Sequence, residues 1–308
     1  MSVQRKTMVV KIGSSTLVGE DRQIRRDFIA DLARQAAELR NLGWNLVVVS
    51  SGAIACGAPK LGFAKKPADM PSLQACASVG QCILSAVYDE EFRAASLLTS
   101  LVLLTRHDTA RRSSYLHARD ALTRLVELAV VPVVNENDTT TVDEIKFGDN
   151  DTLAALVSCL VSADLCVTLS DIDGLYTANP SLDPTAQFIP RVTKIDAAIM
   201  TAGIASVICS GAEENALVRL ASGESVGTLF VPPADRLEIA PRKLWIALGD
   251  SAHGSVTVDD GAAAAVVQRG SSLLPVGITA VEGSFSTGDV LDIRDRDGFV
   301  IARGRAEA

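Results

Sequence analysis

The sequence predicts an α/β fold: a three-layer sandwich on a mainly parallel sheet over residues 1–235, then a small β-barrel domain over residues 236–308. Three observations carry this expectation. Short β-rich runs alternate with stretches of helical apolar spacing from residue 7 to residue 221. Several of the runs are apolar almost throughout, as strands covered on both faces must be. After Val231-Pro232-Pro233-Ala234-Asp235 the helical spacing fades into short strand-like runs separated by Gly and Asp.

Residues 7–12, T-M-V-V-K-I, form the first strand and end in Gly13-Ser14-Ser15. Ile24, Phe28, Leu32, Ala36 and Leu39 then recur at helical spacing, so residues 21–39 are expected to be helical. Asn41-Leu42-Gly43 stops that helix, and residues 44–49 form a second strand broken by Ser50-Ser51-Gly52. The alternation continues with helix 73–87, strand 101–104, helix 115–128, strand 130–134, helix 152–161 and strand 165–169. A short helix from Lys194, a strand over 206–209 and a helix over 214–221 complete the larger domain.

A chain of 308 residues, 48% hydrophobic, can bury one large core and still leave a smaller module. Its 29 basic and 37 acidic side chains give a net charge of -8, which excludes a general attraction to nucleic acid or anionic membrane. An anionic ligand must therefore be held by local donors. The six cysteines show no C-x-x-C pair and read as small core residues in a reducing compartment. His107, His117 and His253 are isolated and read as surface or structural residues. The N-terminal residues lack a signal-peptide pattern and no apolar run is long enough to span a bilayer, so a soluble, cytoplasmic protein is expected.

In open parallel sheets, ligands bind at the carboxyl ends of the strands, where loops and helix N-termini converge. Four predicted strand ends here are strongly polar: Lys11-Ile12-Gly13-Ser14-Ser15, Ser50-Ser51-Gly52-Ala53, Asn135-Glu136-Asn137-Asp138 and Ser170-Asp171. A Gly-Ser loop offers backbone N–H groups and hydroxyls to a phosphate, with Lys11 as a point charge beside it. It is not G-x-x-x-x-G-K-[ST], and there is no G-x-G-x-x-G, which removes most support for P-loop and Rossmann readings. Phe147-Gly148-Asp149-Asn150-Asp151 leads into a helix, and one of Asp149, Asn150 or Asp151 is expected to cap it. Capping needs one residue; the remainder, with the Asn135–Asp138 cluster, offers donors for a carboxylate and acceptors for an ammonium, the two groups of an α-amino acid.

The run V-V-K-I-G-S-S, then V-V-S-S-G-A-I-A, N-E-N-D, F-G-D-N-D-T-L-A-A-L and D-x-D-G-L-Y-T resembles the amino acid kinase superfamily, and within it the branch that phosphorylates glutamate. R-K-L-W-I, V-D-D-G-A, S-S-L-L-P-V-G-I and E-G-S-F-S-T-G-D in the tail resemble a PUA domain, ending early after I-A-R-G. The resemblance implies transfer of the ATP γ-phosphoryl group to the side-chain carboxylate of L-glutamate, giving glutamyl 5-phosphate, the first step toward proline. By position it makes Lys11 and Lys194 the catalytic lysines and Asp171 the residue that orients them. It puts Gly13, Ser14 and Ser170 at ATP, and Ser51, Gly52, Asn137, Asp138, Asp149 and Asn150 at glutamate. It further implies feedback inhibition by proline and a homodimer or homotetramer, and Mg²⁺ is expected to arrive with ATP rather than on protein ligands.

One departure bears on the nucleotide. The family has a glycine-rich stretch of the form G-T-G-G-M just before a T-K pair; here Thr193-Lys194 follow Pro190-Arg191-Val192 directly. Ile195-Asp196-Ala197-Ala198 resumes the family pattern at once, as expected of a loop left out of the sequence. The chemistry itself needs no general base, because a glutamate side chain titrates near 4.3 and is already ionised. It needs two anions brought together and charge stabilised on the transferred group. Competing readings are an acetylglutamate kinase, carbamate kinase or aspartokinase, against which the N-E-N-D plus F-G-D-N-D pair and the PUA-like tail count. A non-catalytic regulator is another, and so is RNA binding by the tail, whose basic residues are matched by acids.

Overall fold

The computed structural model describes residues 5–19, 21–105, 112–140, 150–180, 182–193, 204–232, 254–269, 271–287 and 289–306. The chain divides into two compact units, Met1–Ile239 and Ala240–Ala308.

The first unit holds an eight-stranded sheet in the order β3-β4-β2-β1-β5-β9-β10-β8. Its strands are β1 (Lys6–Ile12), β2 (Trp44–Val49), β3 (Leu98–Leu104), β4 (Val130–Glu136), β5 (Leu165–Ser170), β8 (Arg191–Val192), β9 (Ala205–Ser210) and β10 (Thr228–Phe230). All neighbours are parallel except β9 and β10. A separate small ladder pairs β6 (Leu175–Tyr176) with β7 (Phe188–Ile189). Strand β1 lies near the middle, between β2 and β5, as its unbroken apolar run requires.

Side-chain alternation sorts the helices into two layers. Met8, Val10 and Ile12 join the main core with Ile29 and Leu32 of α2 (Arg26–Asn41) and Leu84 and Tyr88 of α4 (Met70–Ala94). Val9 and Lys11 face the other way, where the helix Asp151–Leu160 packs on β1 and β5. Helix α4 starts where Asp69 accepts from the Ser72 N–H at 2.9 Å and Pro71 occupies the first turn. Between β2 and α4 lies α3 (Ala53–Lys60), packed closely on α4.

The sequence reading put the helix at 73–87 and the strand at 101–104; both are longer here, because their flanking turns are partly exposed and break the apolar pattern. It did not anticipate α3, whose Gly57 and Pro59 are helix breakers overridden by packing against α4. Nor did it anticipate the one-turn helix α1 (Ser14–Leu17). Cys82 is exposed on α4 rather than a core residue, and Cys159 is only half-buried. His117 is exposed, while His107 and His253 lie outside the described residues. Among the described residues no helix is long and apolar enough to cross a membrane.

The second unit has a four-stranded sheet, β12-β11-β13-β14. These are β11 (Gly254–Val258), β12 (Ile278–Gly283), β13 (Val290–Arg294) and β14 (Val300–Arg305), with β11 and β13 parallel and the outer pairs antiparallel. Beside it lies a helix, Asp260–Arg269, absent from the strand-only expectation for this region. Its alanine-rich sequence is a strong helix former, and Asp259 accepts from the Ala262 N–H at 2.8 Å as the cap. Ala262, Ala263 and Val266 pack against Val256, Val258, Leu291 and Ile293.

Candidate active site

Lys11, the penultimate residue of β1, is only 8% exposed. Its Nζ lies 2.6 Å from Oδ1 of Asp151, the first residue of the helix Asp151–Leu160, and that carboxylate is half exposed. From the sequence Asp151 is only a possible cap; a carboxylate two residues past F-G-D is the signal that could have marked it as the lysine's partner.

Beyond Lys11 the chain turns at Gly13, whose N–H reaches the Leu169 carbonyl at 3.4 Å and so ties the turn to the end of β5. Gly13 is extended, with φ -69 and ψ 157, and a Cβ there would meet nothing closer than 3.9 Å. The turn does not need glycine for its own backbone. Ser14 and Ser15 are exposed at the start of α1. At the end of β5, Ser170, half-buried, donates to Oδ1 of the exposed Asp171 at 3.0 Å.

Ser50 and Ser51 follow β2 and are buried, and Gly52 takes a left-handed φ of 88 that starts α3. The Ser50 hydroxyl meets the Tyr88 hydroxyl of α4 at 3.1 Å. Burial pushes the Tyr88 phenol well above its ordinary range, so it stays protonated at neutral pH. Asn150 stands at the cap position of the helix Asp151–Leu160 yet makes no capping bond with its side chain. Instead its Nδ2 donates to the Ser50 carbonyl at 2.5 Å and to Asn135 Oδ1 at 2.9 Å. Asn135 Oδ1 also accepts from the Glu136 N–H at 2.9 Å, and its Nδ2 donates to Gln81 Oε1 of α4 at 2.8 Å.

A buried polar chain thus joins the ends of β2 and β4 to the start of one helix and the middle of another. Asn150→Ala would leave the buried Ser50 carbonyl without this donor; the expected loss is about 1–3 kcal/mol of stability, read as a lower urea midpoint at unchanged slope. Beside the chain, Gln81, Leu103, Glu136, Asn137, Asp138 and Thr139 line a small cleft. Sequence reasoning missed Gln81 and Tyr88. The signal was a polar residue on the buried stripe Leu73, Ala77, Leu84, Tyr88 of α4.

Of the candidate site residues in the sequence, the structure brings Ser50, Asn135 and Asn150 into one network and Asn137 and Asp138 into one cleft. Gly13 and Ser170 lie on adjacent strand ends, beside Lys11. Asp149 and Lys194 lie outside the described residues. Cys56 and Cys209 are buried near these strands, and loss of solvation pushes their thiols up to about 11 and about 12, so neither offers a thiolate at neutral pH.

The sequence pattern of the amino acid kinase family matches residues 6–214, and that of the PUA domain residues 254–308. Glutamate 5-kinase from Variovorax paradoxus (strain S110) is 46% identical over 327 residues, covering 98% of this chain and 86% of the relative. Glutamate 5-kinase from Geobacter sp. (strain M21) is 42% identical over 325 residues, covering 97% of this chain and 87% of the relative. Both aligned spans exceed the 308 residues of the chain itself, so these relatives carry residues that it lacks. Among solved structures, UMP kinase from Ureaplasma parvum has a TM-score of 0.56 at 16% identity, covering 74% of this chain and 100% of that one. This structural likeness concerns the fold alone.

Proposed function

The chain belongs to the amino acid kinase family, and from that premise we infer that it transfers the γ-phosphoryl group of ATP to the side-chain carboxylate of L-glutamate. The observation that carries this reading is identity of 42–46% with proteins named glutamate 5-kinase along 97–98% of the chain. The product is glutamyl 5-phosphate, the activated acid at the first step toward proline.

In the reaction a γ-carboxylate oxygen of glutamate forms a bond to the γ-phosphorus, the bond from that phosphorus to the β–γ bridging oxygen breaks, and ADP leaves with the electron pair. No proton moves. The protein must hold two anions together and stabilise charge on the transferred group. Lys11 is suited to this: a cation at the end of a central strand, held in place by Asp151 and largely shielded from water.

We assign Lys194 as the second lysine and Asp171 as the carboxylate that orients the pair. Gly13, Ser14 and Ser170 serve ATP in this assignment, and Ser51, Gly52, Asn137, Asp138, Asp149 and Asn150 serve glutamate. Support comes from the strand-end positions of Gly13, Ser51 and Ser170 and from the polar network through Asn150. Mg²⁺ would come with ATP and supply positive charge at the phosphates, and Asp171, exposed beside β5, would be suited to accept a hydrogen bond from its water. Proline is read as a feedback inhibitor competing at the glutamate loops, and the cytoplasm as the compartment, in keeping with six unpaired cysteines. The domain boundary is placed near residue 235.

The enzyme in this reading is a homo-oligomer. What supports it is β3, which among the described residues is an edge strand hydrogen-bonded only to β4, with Leu98, Leu101 and Leu103 exposed and no charge or proline in L-T-S-L-V-L-L. An apolar edge without such blocking residues pairs readily with another strand.

Hydroxylamine trapping of the acyl phosphate tests the activity. With MgATP, hydroxamate is expected from L-glutamate and not from N-acetylglutamate or aspartate, and added proline should suppress it. Folded protein giving no hydroxamate from any of the three would overturn the reading in favour of a non-catalytic regulator.

A further inference from the structure

Gln81 sits on the buried stripe of α4 and is 8% exposed. The two ends of its amide are not interchangeable. Asn135 Oδ1 accepts from the main-chain N–H of Glu136, a donor that cannot reverse. Asn135 must therefore present Nδ2 on its other side, and Gln81 must meet it with Oε1. That leaves Gln81 Nε2 buried, with no hydrogen-bond partner among the described residues. Buried donors of this kind are rare in native proteins, and one beside a cleft marks a place for an acceptor.

Gln81 lines the small cleft that also includes Glu136, Asn137 and Asp138. Resting on the kinase reading above, we propose that Gln81 is a specificity residue for the α-carboxylate of the amino acid substrate, with Nε2 donating to one of its oxygens. The carboxylate that reacts must lie toward Lys11 on β1. The cleft lies at the ends of β4 and β3, on the far side of β2. An amino acid bound across these strand ends therefore turns its other end to the cleft. That end carries an ammonium and a carboxylate, and an N–H donor can serve only the carboxylate. Glu136 and Asp138 on the same cleft are chemically suited to the ammonium. Binding gives the orphaned donor its partner and leaves the Asn135 bond in place.

The test is calorimetric titration of the full chain with L-glutamate and with 4-aminobutyrate, which keeps the amine and the reacting carboxylate but lacks the α-carboxylate. Gln81→Glu keeps an acceptor for Asn135 and puts an oxygen where Nε2 stands. It is expected to weaken L-glutamate binding about 10- to 100-fold while changing 4-aminobutyrate binding less than about 3-fold. Gln81→Met, near in volume and uncharged, is expected to lose the same discrimination, which guards against a fold defect specific to the buried acid. If both variants still discriminate as the unaltered chain does, or lose both ligands equally, Gln81 merely holds Asn135 and the proposal is overturned. If the unaltered chain binds neither ligand, the glutamate reading itself falls and takes this inference with it.

Discussion

Replacing Lys11 by methionine is expected to slow acyl-phosphate formation by at least about 100-fold, the usual effect of deleting one preorganised donor to a developing charge. The same substitution should leave the thermal midpoint unchanged or raise it. A buried cation is costly to desolvate, and methionine fills a similar volume without that cost. The partner left behind, Asp151, is half exposed, so water can solvate it once the lysine is gone. Rate and stability thus move independently or in opposite directions, which an unfolding artefact cannot imitate. Initial rates at saturating ATP and glutamate, taken beside a melting curve, decide it. A variant with near-normal rate would remove Lys11 from the chemistry, and a large fall in midpoint would mean that the ion pair is structural. Lys11→Arg is not a conservative control, since the planar guanidinium cannot occupy the place of a point charge at the end of a strand.

Gly80→Ala should be the most damaging glycine-to-alanine change among the described residues of the larger domain. A Cβ at Gly80 would lie 1.7 Å from the Ala53 carbonyl oxygen, and one at Gly57 would lie 1.9 Å from the carbonyl oxygen of Cys76. Both clashes are with main chain of the facing helix, so no side chain can rotate aside; α3 and α4 must separate. The expected cost is about 3 kcal/mol or more, a fall of roughly 6–12 °C in midpoint for a domain of this size. The damage should reach the site, because α3 begins at Gly52 beside Ser51 and the residue after Gly80 is Gln81. A loss below about 1 kcal/mol would show that the two helices are not seated as described.

Much of the fold was legible because β1 and β2 are short, apolar and followed at once by glycine or serine, so period and punctuation agree. Where they disagree, reading residues in order fails. Helix α3 carries a glycine and a proline that look like loop, yet the glycine is what lets its backbone touch α4. The candidate site shows the same division. Lys11, Ser50, Ser51, Asn137 and Asp138 stand out as polar residues at strand ends. Gln81 and Tyr88 could not be placed there, since their partners Asn135 and Ser50 lie 54 and 38 residues away in the chain. Asn150 stands out in the sequence both as one of three cap candidates and, by resemblance, as a residue for glutamate; it holds the cap position, but tertiary contacts take its side chain.

The chain of amides from Asn150 through Asn135 to Gln81 has a consequence for how recognition is encoded. A glutamine amide is ambiguous: turned one way it welcomes an anion, turned the other it welcomes a cation. Nothing in Gln81 itself settles which. The choice is made at the peptide N–H of Glu136, which fixes Asn135 and through it Gln81. The orientation of the Gln81 amide is therefore written in the main chain of β4, where any residue but proline would preserve it, while Asn135 merely transmits it.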